Sequence, residues 1–171
     1  ALFDRLAEYR SAQVPLRTGV YVPAEDNANV TGGWRFSPAG ADPPVGADVD
    51  QRNAILSFDV RAANLDLTVR RGDFWGVFSV SIDGGPANGL PRDEQGRSYL
   101  VLHDPAGQTE QVPVARGLDA RGPHHVEIVA HGGWGQWPLV SWTVHELPAA
   151  APDPFSMWSF AALAVVSAVA A

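Results

Sequence analysis

The chain predicts an all-β domain, a β-sandwich with jelly-roll or Greek-key connections, and three observations carry that prediction. Apolar and polar residues alternate through Ile55–Val60, Leu65–Val69 and Val77–Ile82, the period-2 pattern of half-buried strands. Turn-forming residues punctuate these runs. Arg70-Arg71-Gly72-Asp73 separates the second run from the third, and Asp83-Gly84-Gly85 closes the third with residues that tolerate positive φ. Finally, 17 Gly and 14 Pro among 171 residues favour many turns and short strands over a helical bundle. No βαβ rhythm or fixed-period repeat interrupts this pattern.

In order, Ala1–Ala12 places Leu2, Phe3, Leu6 and Tyr9 on one side at helical spacing, and a short amphipathic helix is expected there. Val14–Val22 reads as an extended lead-in. Residues 24–52 are loop-rich, with Thr31-Gly32-Gly33, Pro38 and Pro43-Pro44 as punctuation and one short strand around Gly33–Ser37. After the three central runs, Arg97–His103 is expected as a strand. Gln111–Arg116 is a weaker one, demoted to an edge by Pro113. His125–His131 alternates cleanly, Gly132–Pro138 (GGWGQWP) is an aromatic loop, and Leu139–His145 is the last strand. The resulting division is a helix and lead-in over 1–23, a β-sandwich domain over 24–147, a Pro/Ala linker over 148–154 and a transmembrane helix over 155–171.

That last segment, Phe155–Ala171, holds seventeen residues without charge, Pro or Gly. As a helix it would be roughly 25 Å long, slightly short of a bilayer's hydrocarbon thickness, so the span is expected to continue beyond it. The linker before it carries Asp153 and no base, which by the positive-inside rule places the domain on the extracytoplasmic side. A buried C-terminal core helix is the alternative, disfavoured by the absence of any polar face.

Composition removes whole classes of function. The twelve basic residues are all Arg, and the net charge of −7 opposes a nucleic-acid backbone as partner. With no Cys there is no disulfide, thiolate chemistry or Cys-ligated metal. Neither a Gly-x-Ser-x-Gly elbow, a phosphate loop, a dinucleotide fingerprint nor His-Glu-x-x-His occurs, and Asp59, Asp66, Asp73 and Asp83 form no pattern that selects a facing carboxylate pair. The expectation is a non-enzymatic chain.

Trp34 in a loop-rich segment, Phe58-Asp59-Val60, Arg71-Gly72-Asp73-Phe74-Trp75-Gly76 and Ser81-Ile82-Asp83-Gly84-Gly85 together resemble bacterial carbohydrate-binding-module-like jelly rolls. The stretch Gly117-Leu118 through Gly122-Pro123-His124-His125-Val126 is similar to the Gly-Leu…Gly-x-His-x-Val element of that group. The likeness runs from Trp34 to Glu146. It implies the sandwich scaffold and a link to glycans, on a scaffold that also serves as hydrolase appendages and as extracytoplasmic domains of membrane proteins.

Aromatic faces stack on the apolar faces of pyranose rings, while carboxylates and amides hold the hydroxyls. Trp134 and Trp137 in the Gly-rich loop, Trp75 at a strand start and the neighbouring Asp73 are therefore the candidate ligand-binding residues. The two loop indoles could equally tuck over the sandwich end or meet a membrane surface. Trp142, which alternates with Val140 and Val144, is expected in the core. Of the five His, His131 and His145 end strands expected to be neighbours, whereas the adjacent His124 and His125 point to opposite faces, so no metal site is expected. His124 is expected to lock a turn, and Asp83 to serve its own turn. No cofactor is expected beyond structural calcium held by Asp26, Asn27 and loop carbonyls. Asn29-Val30-Thr31 matches a glycosylation sequon by composition alone.

The function expected from these features is a membrane-anchored extracytoplasmic domain that binds glycan at the cell envelope. Its partners would be that glycan and, through 155–171, membrane lipid. The alternatives are a structural subunit packed on neighbouring membrane proteins, or an accessory region of a larger membrane-bound glycosyltransferase or hydrolase.

Overall fold

The computed structural model describes residues 14–145; the expected helix at 1–12 and apolar span at 155–171 lie outside them. Twelve strands are formed: β1 (Gly19–Tyr21), β2 (Asn29–Thr31), β3 (Arg35–Ser37), β4 (Gly40–Asp42), β5 (Ile55–Val60), β6 (Asn64–Arg70), β7 (Gly76–Ile82), β8 (Gly85–Pro86), β9 (Tyr99–Val101), β10 (Thr109–Ala115), β11 (His124–Gly132) and β12 (Leu139–His145). Among the described residues there is no helix, and so none long and apolar enough to cross a membrane.

The strands make two antiparallel sheets. One runs β2-β5-β11-β7-β8, with β9 also on β7; the other runs β10-β6-β12-β4-β3, with β1 also on β12. The central runs β5, β6 and β7 therefore do not pair with one another. The chain crosses from the first sheet to the second and back. Alternation decides what each strand buries: Leu56, Phe58 and Val60 of β5, Val126, Ile128 and Ala130 of β11, and Phe78, Val80 and Ile82 of β7 all turn inward. They meet Leu65, Leu67, Val69, Val112, Val114, Trp142 and Val144 of the other sheet in one core. Phe58 and Trp142 stack across it, centroids 4.1 Å apart and 7° between planes. Each such ring buries roughly 150–250 Å², which makes this pair the centre of the packing.

The expected strands are found with shifted bounds. Arg97–His103 keeps only Tyr99–Val101; just before it, the Ser98 carbonyl accepts Val80 N–H, while its hydroxyl donates to the Val80 carbonyl and accepts from Ala87 N–H. Pro113 sits in β10, which is an edge strand, where its missing N–H removes no ladder bond. A register shift in β12 between Leu139 and Ser141 turns Val140 away from the alternation while Trp142 and Val144 face inward. The lead-in joins both sheets, since Leu16 bonds to Asp59 and Arg61 beside β5 while β1 pairs with β12. At the β7–β8 hairpin, Asp83 (φ 52°) and Gly84 (φ 76°) adopt the left-handed turn that their residue types favour.

Candidate functional site

The loop between β6 and β7 and the loop between β11 and β12 meet at one end of the two sheets, where Gly133 N–H donates to the Trp75 carbonyl at 3.0 Å. Gly132 (φ 70°) makes the approach possible, because a Cβ there would lie 2.7 Å from the Trp75 ring and carbonyl. Trp75 consequently lies on the outside, 61% exposed, edge-on to His131 with centroids 4.5 Å apart. Phe74 turns into the core, and Asp73 faces solvent with no hydrogen-bond partner among the described residues.

Beneath the aromatic loop lies a carboxylate that sequence reasoning did not single out. Asp42, fully buried at the end of β4, accepts the backbone N–H groups of Gly135 (2.9 Å), Gln136 (3.0 Å) and Trp137 (3.0 Å). Arg35 completes the set as an ion pair on the same carboxylate. From the other side, Arg70 Nη1 donates to the carbonyls of Gln136 (3.1 Å) and Trp137 (2.9 Å). With its backbone polar groups held this way, the loop adopts a strained turn in which Trp137 has φ 54°. Trp137 is half-buried with the Arg35 guanidinium 5.5 Å from its ring centroid, while Trp134 stays 43% exposed. The structure thus gathers Trp75, Trp134 and Trp137 at one end. They are not a single stacked platform, since no ring-to-ring pair joins them among the described residues.

A second feature lies on the outer face of the first sheet. Residues of β11 and β7 that point away from the core, Glu127 opposite Ser81 and Val129 opposite Ser79, form the floor of a cleft of about 410 Å³. Arg52, Gln95, Arg97 and the hairpin Gly84–Pro86 wall it. The segment before β5 is folded over this face: Asn53 ties Asp48 N–H to the Gly46 carbonyl, and Val49 N–H donates to His131 Nδ1 at 3.0 Å. Arg52 takes φ 49°, uncommon for a side chain of its size, and reaches Glu127 at 2.6 Å. Arg97 bridges Asp93 (2.8 Å) and Asp50 (2.7 Å), closing the opposite wall.

Histidine–aspartate pairs occupy the remaining positions. His124 and Asp83 join at 2.7 Å, and the second His124 nitrogen meets the Asp119 carbonyl at 3.0 Å, locking the turn before β11 as expected. Asp83 also accepts His125 N–H, so its role extends from its own turn to the neighbouring strand. Burial disfavours the charged His124 ring, but the bonds to Asp83 and Asp119 and their charge outweigh it and hold its pKa above the usual value; Asp83 is correspondingly lowered. On the outside of the second sheet, Asp66 is desolvated, yet bonds from Arg116, His145 and Gln111 keep its carboxyl below the ordinary range.

His131 and His145 do not approach each other. They belong to different sheets, because β11 pairs with β5 and β7 while β12 pairs with β6, β4 and β1. Among the described residues no group of three or more His, Asp or Glu is placed to hold a metal ion. Asn27 directs its amide into its own loop, accepting Ala24 N–H and donating to the Val22 carbonyl.

No protein-family model matches the chain, and no curated protein does either. Among solved structures it is similar to that of a family two carbohydrate esterase from Cellvibrio japonicus, with a TM-score of 0.51 and 19% identity over 78% of this chain. The match spans 36% of that structure's length. At this identity the likeness concerns the fold alone. It also corrects the expectation of a non-enzymatic chain, since the similar structure is that of an enzyme. The missing sequence motifs could not sustain that expectation: catalytic groups are recognised by geometry, and one scaffold hosts many activities.

Proposed function

We propose that this chain is the glycan-recognising part of a carbohydrate-processing protein, with Trp75 and Trp134 as stacking surfaces and Asp73 and Trp137 at their margin. The observation that carries the reading is the buried Asp42 beneath the aromatic loop. A carboxylate sequestered from water and spent on three backbone N–H groups fixes an exposed loop in one shape, and that loop holds Trp134 in solvent. An indole presented rigidly loses little conformational freedom when a sugar ring stacks on it. The carbohydrate esterase with a similar fold supports the substrate class, and a jelly-roll connection of the two sheets belongs to the same reading. The uncharged stretch 155–171 would tether the protein to a membrane, with the β domain on the extracytoplasmic face.

Retardation of the full chain in polysaccharide-containing gels tests the reading. Trp75→Ala and Trp134→Ala are each expected to weaken retention about tenfold, equivalent to ~1.4 kcal/mol. No retention by any polysaccharide, with unchanged behaviour in both variants, would overturn it.

A second reading, a sheet that packs on another protein, is favoured by one observation. Val22 (45% exposed) lines a shallow surface with Phe36 and Pro38, and Val14 and Val20 on the same lead-in are exposed as well.

A further inference from the structure

We infer that the cleft above Glu127 is a second carbohydrate subsite, separate from the aromatic end, and that it takes an uncharged, polyhydroxylated sugar residue. The inference rests on the reading of the chain as glycan-recognising; the cleft supplies the location and the ligand's charge. Its volume, about 410 Å³, falls within the size range of small-molecule sites.

The chemistry of the walls selects the ligand. The hydroxyls of Ser79 and Ser81, the side-chain amide of Gln95 and the second oxygen of Glu127 make no hydrogen bond among the described residues, though all four side chains line the cleft. They supply donors and acceptors in close alternation, which a vicinal diol satisfies because each hydroxyl both donates and accepts. Val129 and Pro86 add apolar surface for the C–H face of a sugar ring. An anionic ligand meets no unpaired cation in the cleft. Arg52 is engaged by Glu127, and Arg97 is held between Asp93 and Asp50, so its neighbours outnumber it in charge. A uronate or phosphate would have to displace a carboxylate already in place.

Arg52 holds a left-handed backbone, which costs free energy at a non-glycine residue, and its guanidinium pairs with Glu127 at 2.6 Å. That pair fixes which Glu127 oxygen is bonded and which remains open to the cleft.

The test is amide NMR of the full chain titrated with cellohexaose and xylohexaose as neutral probes and with hexagalacturonate as the anionic one. The amides of Gly84, Gly85 and Gly96 and the side-chain amide of Gln95 report on the cleft; the indole N–H signals of Trp75 and Trp134 report on the aromatic end. A neutral probe is expected to shift the cleft signals, and Glu127→Gln, with the remaining spectrum unchanged, is expected to weaken that response at least tenfold. Cleft signals unmoved by any probe, moved by hexagalacturonate alone, or unaffected by Glu127→Gln would overturn the subsite. Because the indoles are read separately, its loss leaves the aromatic-end reading standing or falling on its own signals.

Discussion

The aromatic loop and the cleft wall both present side chains to solvent, but they are held by opposite means. The loop 133–138 rests on Asp42, whose side chain is 0% exposed, whereas the cleft wall rests on Arg52 and Arg97, with side chains 55% and 40% exposed. Charge-assisted bonds to a buried carboxylate are little screened and strong. Exposed ion pairs are worth about 0–1 kcal/mol and weaken as salt shortens the Debye length, roughly 8 Å at physiological ionic strength. One region is therefore held by bonds that salt barely weakens, and the other by pairs that salt loosens.

The largest expected effect breaks the buried side of this comparison. Asp42→Ala strands three backbone N–H groups and the Arg35 guanidinium, and should destabilise the domain by about 3–5 kcal/mol in urea unfolding. Arg35→Ala removes the buried carboxylate's counter-charge but leaves the three N–H bonds that solvate it, and should cost less. A near-equal loss in the two variants would show that the ion pair, and not the N–H cradle, holds the loop. Arg70→Ala, which frees the carbonyls of Gln136 and Trp137, should fall between them at about 1.5–3 kcal/mol.

What the sequence disclosed follows the same division between local and distant. β5, β7 and β11 were legible because alternation and Gly-rich turns lie within a few residues of one another, and Trp142 was legible as core because it alternates with Val144. The left-handed Asp83-Gly84 turn was legible in its two residue types. Sheet membership was not legible. β5, β6 and β7 are consecutive yet cross between sheets, and the same blindness suggested that His131 and His145 were neighbours. Asp42 meets the aromatic loop from 93–95 residues away, and Arg52 reaches Glu127 from 75 away, so no local pattern marks either. The one hint was an acid in an otherwise small, apolar strand, Gly40-Ala41-Asp42, whose buried charge demanded distant partners.

Between the two regimes sits the His124–Asp83 pair, partly buried and sensitive to pH rather than salt. His124 has a raised pKa in the folded state, so its contribution is complete below its unfolded value of about 6.5 and fades as pH rises through the folded value. Asp83 has a lowered one, so its contribution is complete above about 3.9 and fades as pH falls through the folded value. The melting temperature of the wild type should therefore decline from pH 6 to pH 9 more than that of His124→Asn, which removes the titrating ring. Parallel profiles would show that Asp83 binds the neutral ring equally well.

The smallest effect tests the exposed side. Arg52→Gly removes an ion pair worth about 0.2–1 kcal/mol, yet glycine accepts φ 49° and relieves about 1–2 kcal/mol of left-handed strain, less about 0.5–1 kcal/mol for its greater freedom in the unfolded chain. These terms offset, so Arg52→Gly should leave stability within about 0.5 kcal/mol of the wild type, while Arg52→Ala, which keeps the strain and loses the pair, should be the less stable variant. Raising salt should bring wild type and Arg52→Ala together, because only the wild type has a pair to screen. A loss above about 2 kcal/mol for Arg52→Gly, unchanged by salt, would mean that Arg52 is as firmly built in as Asp42, and the contrast between a rigid loop and an adjustable cleft would collapse.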